Sequence, residues 1–395
     1  MLRQSLASKV ELGRMSAHLV RWLAEAAYPR WAEHGIDAQS GGFIEMLAQN
    51  GSDIGSSRRA RVQPRQVYAF AQAPRFGWRG DASGIVRRGI EYFTAHYRRD
   101  DGLFRALISA HGEPLDERAQ LYDQAFALLG FAAAAAALNA REEFERRAME
   151  LRGSIEKHFA VGDGAFRSSS EAGGDRESNP HMHLLEACLV WAEIGNDAAW
   201  AGWARDLVGL ALSRFIREDC GALGERFAPS WHPAAGIAGR IIEPGHQFEW
   251  AWLLLRSRLR HAAPVRHAAL RLIAIGEQAG VRNHVAVNAL LDDFTVHDPN
   301  ARLWPQTERL KAALLAAQLT NEAEYWSMAR DAAASLLPYL ETPLEGLWFD
   351  VRLPGGELVD SPAPASSFYH LVGAIVALDD TLADSAPTCS DKTVP

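Results

Sequence analysis

Asp101-Gly102-Leu103-Phe104, running on to His111-Gly112, is the stretch whose reading decides the fold. A turn-forming glycine between short apolar runs reads as a strand, a turn and a second strand. The pattern recurs at Gly41-Gly42-Phe43 before Asn50-Gly51 and at Asp163-Gly164-Ala165-Phe166 before Gly173-Gly174. It returns at Cys220-Gly221-Ala222-Leu223 and at Glu345-Gly346-Leu347-Trp348 before Gly355-Gly356. Gly42, Gly102, Gly164 and Gly221 are 60, 62 and 57 residues apart, and Gly221 to Gly346 is 125, close to two periods. A unit of roughly sixty residues therefore occurs about six times, with a degenerate copy expected near 281–295.

Between these hairpins, apolar periodicity predicts twelve helices. They fall near 8–34, 63–76, 82–98, 117–138, 140–159, 180–194, 197–217, 244–260, 264–279, 304–319, 321–340 and 365–382. Six helix pairs close into a double ring, so the expected fold is all-α, an (α/α)6 barrel with short β-hairpins in its connections. One such domain is expected over 1–384, followed by a polar, disordered tail at 385–395. An open solenoid is the competing arrangement, but it would show polar capping repeats at both ends. Pro64, Pro180, Pro244, Pro305 and Pro364 stand at or near the starts of the even-numbered helices. Those helices also hold the most apolar runs, such as Ala125 to Leu138, and are expected inside. Charged helices such as 140–159 belong outside.

The chain has 395 residues, 48% of them hydrophobic, enough for a large core. Its net charge of −8 argues against a nucleic-acid partner. The run 125–138 is too short to span a membrane, and Met1 to Glu11 lacks the apolar core of a signal peptide. Cys188, Cys220 and Cys389 form neither a metal pattern nor a disulfide framework, so a cytoplasmic home is expected. Either a monomer or a homodimer is compatible with this composition.

Set side by side, the starts of the even helices carry the chemistry. The second has Arg61 and Arg65, the fourth Tyr122 and Asp123, and the sixth Pro180-His181-Met182-His183-Leu184-Leu185-Glu186. The eighth has Glu243-Pro244-Gly245-His246-Gln247-Phe248-Glu249, the tenth Trp304-Pro305-Gln306-Thr307-Glu308, and the twelfth Ser366-Ser367-Phe368-Tyr369-His370. If the inner helices are parallel, these groups meet at one mouth of the ring. Imidazoles for proton transfer, carboxylates to orient them and an arginine for a developing oxyanion make an active-site constellation. His246 shares a helix face with Glu249, and the positive end of the helix dipole favours its neutral form. His-x-x-Glu reverses the Glu-x-x-His order of di-metal bundles, so no metal is expected. No phosphate loop or dinucleotide fingerprint implies a cofactor. Arg58 and Arg59 read as a solvated loop, His181 as a surface or supporting residue rather than a catalyst, and Glu308 competes as a plain ion pair of Arg309.

Arg61-Val62-Gln63-Pro64-Arg65-Gln66-Val67-Tyr68, His183-x-x-Glu186, His246-x-x-Glu249-Trp250, Trp304-Pro305-Gln306-Thr307-Glu308 and Ser367-Phe368-Tyr369-His370 resemble the N-acylglucosamine 2-epimerase superfamily. Within it they are most similar to the aldose–ketose isomerase branch that contains D-mannose isomerase. The resemblance implies an (α/α)6 barrel and metal-free, cofactor-free chemistry on a small monosaccharide. It implies that His246 and His370 are the acid/base pair, with Arg65 at the sugar oxygens. His183 and Glu249 would assist ring opening and orientation. Tyr122, Asp123, Glu186, Glu308, Trp304, Trp348 and Arg61 are the expected substrate contacts. Interconversion of D-mannose and D-fructose is the expected reaction, with D-lyxose to D-xylulose beside it. The alternatives are a 2-epimerase of the N-acylglucosamine or cellobiose type, or an isomerase of an anionic sugar such as sulfoquinovose. A glycoside-cleaving barrel would instead set carboxylates across the cleft.

Overall fold

The structure, a computed structural model, describes residues 2–384 except 172, 173 and 258. The expected tail at 385–395 and Cys389 lie outside the described residues. Twelve helical segments run through them. Helix α1 spans 2–34, its α-helical Leu2–Trp22 continuing through a π-helical turn at Leu23–Ala27 into Tyr28–His34. There follow α2 (Val62–Gln72), α3 (Ala82–Tyr97), α4 (Leu121–Ala137), α5 (Arg141–Phe159), α6 (Ser178–Ile194) and α7 (Ala199–Leu210). The last five are α8 (Pro244–Arg256), α9 (Ala263–Gly280), α10 (Leu303–Thr320), α11 (Ala323–Leu340) and α12 (Ala365–Asp384).

The even helices pack on one another in sequence, and α12 returns to α2, closing the inner ring. Each packs an odd helix against its outer side, as in α10 with α11. This is an (α/α)6 barrel. The alternation follows the residues: nearly every position of α4 from Leu121 to Ala135 is buried, whereas α5 buries one stripe and shows charge elsewhere. Two helix starts differ from expectation by more than two residues. The first helix starts six residues earlier than 8, and α4 starts later than 117 because Pro114–Asp116 pairs as a strand with Leu107–Ile108.

The connections form a belt over one mouth of the ring. Arg58–Arg59 of the first connection pairs with Leu107–Ile108 of the second, and Gln120 of the second bridges to Ser169 of the third. The third pairs with the fourth (Arg176↔Phe227), the fourth with the fifth (Ile242↔Leu290) and the fifth with the sixth (Arg302↔Val351). Met46↔Pro364 then joins the sixth to the first. The repeat glycine takes a left-handed φ in five copies, Gly41, Gly102, Gly164, Gly221 and Gly346. The first copy is thus registered on Gly41 rather than Gly42. In the degenerate fifth copy, Asn283 and His284 hold φ 47° and 71° as the two turn residues between Arg282 and Val285. Asparagine tolerates that region, so the turn survives the loss of glycine.

A buried side chain then ties each hairpin to the helix it enters. Gln63 accepts from the Phe43 N–H at 2.9 Å and donates to the Phe43 carbonyl at 2.7 Å. Gln124 does the same to Phe104, Gln247 to Leu223 and Gln306 to Ala286. In the third repeat His181 accepts from the Phe166 N–H at 3.1 Å, so this histidine is a fully buried supporting residue and not a surface one. The sixth repeat puts Phe368 at that register, stacked with Trp348 at 5.5 Å. A clamped hairpin residue has both backbone groups satisfied by one amide. Gln306→Leu, similar in size, would orphan the buried N–H and C=O of Ala286. It should cost about 2–5 kcal/mol of stability, read by chemical denaturation; a loss below ~1 kcal/mol would show that the clamp is dispensable.

Candidate active site

The residue two places after each clamp position points to the ring axis: Arg65, Phe126, His183, Glu249, Glu308 and His370, one from each inner helix. They touch in order. The Arg65 guanidinium lies 4.0 Å from the Phe126 ring centre, and the Phe126 and His183 rings are 4.5 Å apart. His183 Nδ1 is 3.8 Å from Glu249 Oε1, and Glu308 Oε1 is 2.8 Å from His370 Nδ1. His246 and Trp304 come one and two places before their clamps and therefore sit nearer the rim. Trp304 stands between the two histidines, 5.1 Å from the His246 ring and 5.7 Å from His370. A Cβ on Gly245 would fall 2.4 Å from the Trp304 ring, so glycine is what lets that indole lie against the start of α8.

Of these groups, Arg65, His183, His246, Glu249, Trp304 and His370 line a cavity of about 270 Å³, with Arg59, Arg61, Tyr122, Asn179, Glu243, Arg302, Ser366 and Ser367 completing its wall. It opens into an outer cavity of about 400 Å³ that shares Arg61, Tyr122, Asn179, Glu243 and His246 with it. Most of the guanidiniums here are already paired. Arg61 meets Asp123 at 3.0 Å, Arg302 meets Asp350 at 3.1 Å, and Arg59 meets Glu45. Arg65 is the exception: it has no carboxylate partner among the described residues and reaches only the Tyr122 hydroxyl.

The two histidines are dressed oppositely. His246 Nδ1 lies 2.8 Å from Glu225 Oε2 and 3.5 Å from Glu243 Oε2. Burial alone would lower its pKa, but the charges of Glu225 and Glu243 and the Glu225 hydrogen bond outweigh it and raise the group to about 10. His246 is thus an imidazolium at neutral pH, and the neutral form expected from the helix dipole is corrected. Its partner is Glu225 from the preceding hairpin, not Glu249. For His370 burial dominates and lowers the pKa to about 4, with Arg65 and Lys311 adding to it against Glu308. His370 is a neutral imidazole. His183 is lowered to about 3, mainly by burial, and keeps Glu186 at 3.4 Å. Glu249, with Oε1 unpartnered, is raised well above the usual carboxylate range by burial and then by the Glu308 charge. Two titratable groups pushed apart in one cavity mark an acid and a base.

Several expected contacts lie elsewhere. Trp348 is a core residue, fully buried and stacked on Trp31 at 4.8 Å, because it occupies the core-facing hairpin position of Phe43 and Phe104. Asp123 is buried behind Arg61, and Glu308 behind His370, so neither faces the cavity. Glu308 is not paired with Arg309, which binds Glu277. Glu186 lines a separate cavity at the far end of the barrel. Arg58 is 3% exposed and held by Asp37 at 2.7 Å, and Arg59 lines the active cavity, so neither belongs to a solvated loop. Glu225, Asn179, Ser366 and Lys311 went unassigned in the sequence. Glu225 and Lys311 had no signal there, Glu225 because its reach depends on how its hairpin folds back and Lys311 because it is one polar residue in an apolar stretch.

Three clusters bring imidazole and carboxylate atoms within 4.8 Å of one another: His183/Glu186/Glu249, Glu225/Glu243/His246 and Glu249/Glu308/His370. In each, the imidazole Nδ1 already faces a carboxylate. In the third, Lys311 sits 2.7 Å from Glu308 and supplies the positive charge an ion would bring. No helix among the described residues is long and apolar enough to cross a membrane.

Comparison with known proteins agrees with this geometry. A mannose-6-phosphate isomerase of Rhizobium meliloti (strain 1021) is 45% identical over 385 residues, covering 94% of this chain and 99% of that protein. A D-mannose isomerase of Thermobifida fusca is 26% identical over 324 residues, 73% of this chain and 76% of its own. The crystal structure of a D-mannose isomerase superposes with a TM-score of 0.83 at 21% identity, covering 93% of this chain and 98% of that one. The family described as N-acylglucosamine 2-epimerase matches residues 41–374. The chain belongs to that family, and it is a sugar isomerase or epimerase.

Proposed function

We propose that this enzyme is a metal-independent aldose–ketose isomerase that interconverts D-mannose and D-fructose. The observation that carries the reading is the opposite dressing of His370 and His246 on the two sides of Trp304, beside the carboxylate-free Arg65. Removing the C2 proton of an open-chain aldose needs a neutral base, and His370 Nε2 is the ring nitrogen not bound to Glu308. As the bond to hydrogen breaks, charge develops on O1, which the His246 imidazolium protonates while Arg65 and Tyr122 hold the enediolate. His246 then recovers a proton from O2, and His370 returns its proton to C1. The net change moves one hydrogen from C2 to C1 and one from O2 to O1. Glu249, whose hold on its proton is strengthened by burial and by the Glu308 charge, would serve as an acid in ring opening.

Delivery of the proton to the opposite face of C2 would give an epimer with the same groups. The isomerase outcome is favoured by the activities named for the Rhizobium meliloti and Thermobifida fusca relatives. A second reading, mannose 6-phosphate as substrate, is favoured by the name of the first of these. Against it, the outer cavity sets Arg61, Arg118 and Arg226 beside Asp116, Glu177, Glu225 and Glu243. Each of those arginines already pairs with a carboxylate. A phosphate dianion would find little net positive charge there.

A panel of mannose, lyxose, mannose 6-phosphate, N-acetylglucosamine and cellobiose, incubated with enzyme in EDTA and resolved by chromatography, tests the proposal. Fructose should form from mannose at an undiminished rate. Loss of activity to EDTA with recovery on adding manganese or zinc would overturn the metal-independent reading. A kcat/KM for mannose 6-phosphate more than about tenfold above that for mannose would favour the second substrate.

A further inference from the structure

Lys311 lies one turn after Glu308 on α10 and is 3% exposed. It borders the far cavity of about 420 Å³, which shares no lining residue with the active cavity. Its ammonium sits 2.7 Å from Glu308 Oε2 and 3.8 Å from the Trp252 ring centre. Glu308 Oε1 is the atom that meets His370 Nδ1, so lysine, carboxylate and imidazole form one line across the floor of the active cavity.

From this line, and resting on the reading of His370 as the base, we infer that Lys311 is a positioning residue that sets the tautomer of His370. An ionised carboxylate can only accept hydrogen bonds. Facing Glu308 in that state, Nδ1 must carry the imidazole hydrogen, and the lone pair is left on Nε2, toward the substrate. A protonated Glu308 could donate to Nδ1 instead. The hydrogen would then move to Nε2, and the base would become a donor.

The surroundings explain why a cation is needed. Glu308 is fully buried with Glu249 beside it, and Glu249 in turn lies beside Glu186. Around this layer α2 contributes Arg65, α6 His183 and Glu186, and α8 Glu249. Helix α10 adds Glu308 and Lys311, α12 adds Tyr369 and His370, and α4 presents Phe126 with Tyr122, whose hydroxyl meets Arg65. With His183 and His370 neutral, Lys311 is the cation that faces the carboxyl groups of Glu308, Glu186 and Glu249. Without Lys311, Glu308 would hold its charge against a neutral imidazole and the 3.3 Å contact to the Thr307 hydroxyl, close to another carboxylate. Burial then favours its protonation.

The first measurement needs no variant. Long-range ¹⁵N–¹H spectra of the histidine-labelled wild-type enzyme, with His370 assigned through its absence in His370→Asn, should show the Nδ1–H tautomer at pH 7. An Nε2–H tautomer would overturn the inference. Lys311→Met should then shift His370 toward Nε2–H and lower kcat about 10²-fold with KM within about threefold. It should also move the acid limb of the kcat/KM profile upward, because a positive charge that suppresses His370 protonation has gone. Adding Lys311→Met to Glu308→Gln should cost little more than Glu308→Gln alone, since both act through one carboxylate. A Lys311→Met enzyme with an unmoved acid limb and an unchanged tautomer sinks the inference while leaving His370 as base. Near-normal turnover by His370→Asn would instead sink the reading it rests on.

Discussion

His370→Asn should lower kcat by about 10³-fold or more while the thermal unfolding midpoint stays close to that of the parent enzyme. The asparagine amide can still donate to Glu308, so the buried carboxylate and Lys311 keep a partner and the barrel floor keeps its packing. What disappears is the imidazole nitrogen that takes the C2 proton. The enzyme's kcat/KM should itself fall as pH drops through about 4, where His370 gains a proton and ceases to be a base. A variant within tenfold of the parent rate would remove His370 from the mechanism.

His246→Gln should reduce kcat/KM by about 10²- to 10³-fold, for loss of the group that protonates O1. A companion change separates its charge from its presence. In Glu225→Gln the imidazole remains but loses the nearest of the carboxylates that hold its pKa near 10. The alkaline limb, expected near pH 10 in the parent, should therefore move down toward neutrality, because His246 gives up its proton at lower pH. An alkaline limb unmoved in Glu225→Gln would show that His246 is not the acid whose ionisation it reports.

The architecture is largely legible in the sequence, for a physical reason. A sixty-residue period leaves a mark at Gly102, Gly164, Gly221 and Gly346, because each copy needs a left-handed turn at the same place. The even helices announced themselves through prolines and unbroken apolar runs. Even the degenerate copy was located, although its solution, Asn283 and His284 in the turn, was not. The site was legible as a set of residues but not as a set of contacts. His183, His246, Glu249, Trp304, Arg65 and His370 do converge, because inner helices in a closed ring all start at one mouth.

Which group faces which was hidden where the partner came from another segment. His246 takes Glu225 from a hairpin twenty-one residues earlier and not Glu249 one turn on. That substitution reverses its charge state, an outcome no local dipole argument could reach. Trp348 was expected among the substrate contacts. Its repeat position, shared with Phe43, Phe104 and Phe166, was the better guide, and it says core. Asp123 and Glu308 were expected as substrate contacts but stand behind the arginine and histidine that face the cavity. Lys311 escaped attention as one polar residue in an apolar stretch, with nothing local to distinguish it from a solvated lysine.

The most direct test of the central claim follows the hydrogen itself. Mannose carrying deuterium at C2 is incubated with EDTA-treated enzyme in ordinary water, and the product is read by ¹³C and ²H NMR. Single-base transfer by His370 predicts fructose as the product, with part of the deuterium at C1 and the rest exchanged into solvent from the imidazole. Glucose in place of fructose, or fructose that keeps all its deuterium as a direct hydride shift would require, would contradict the account.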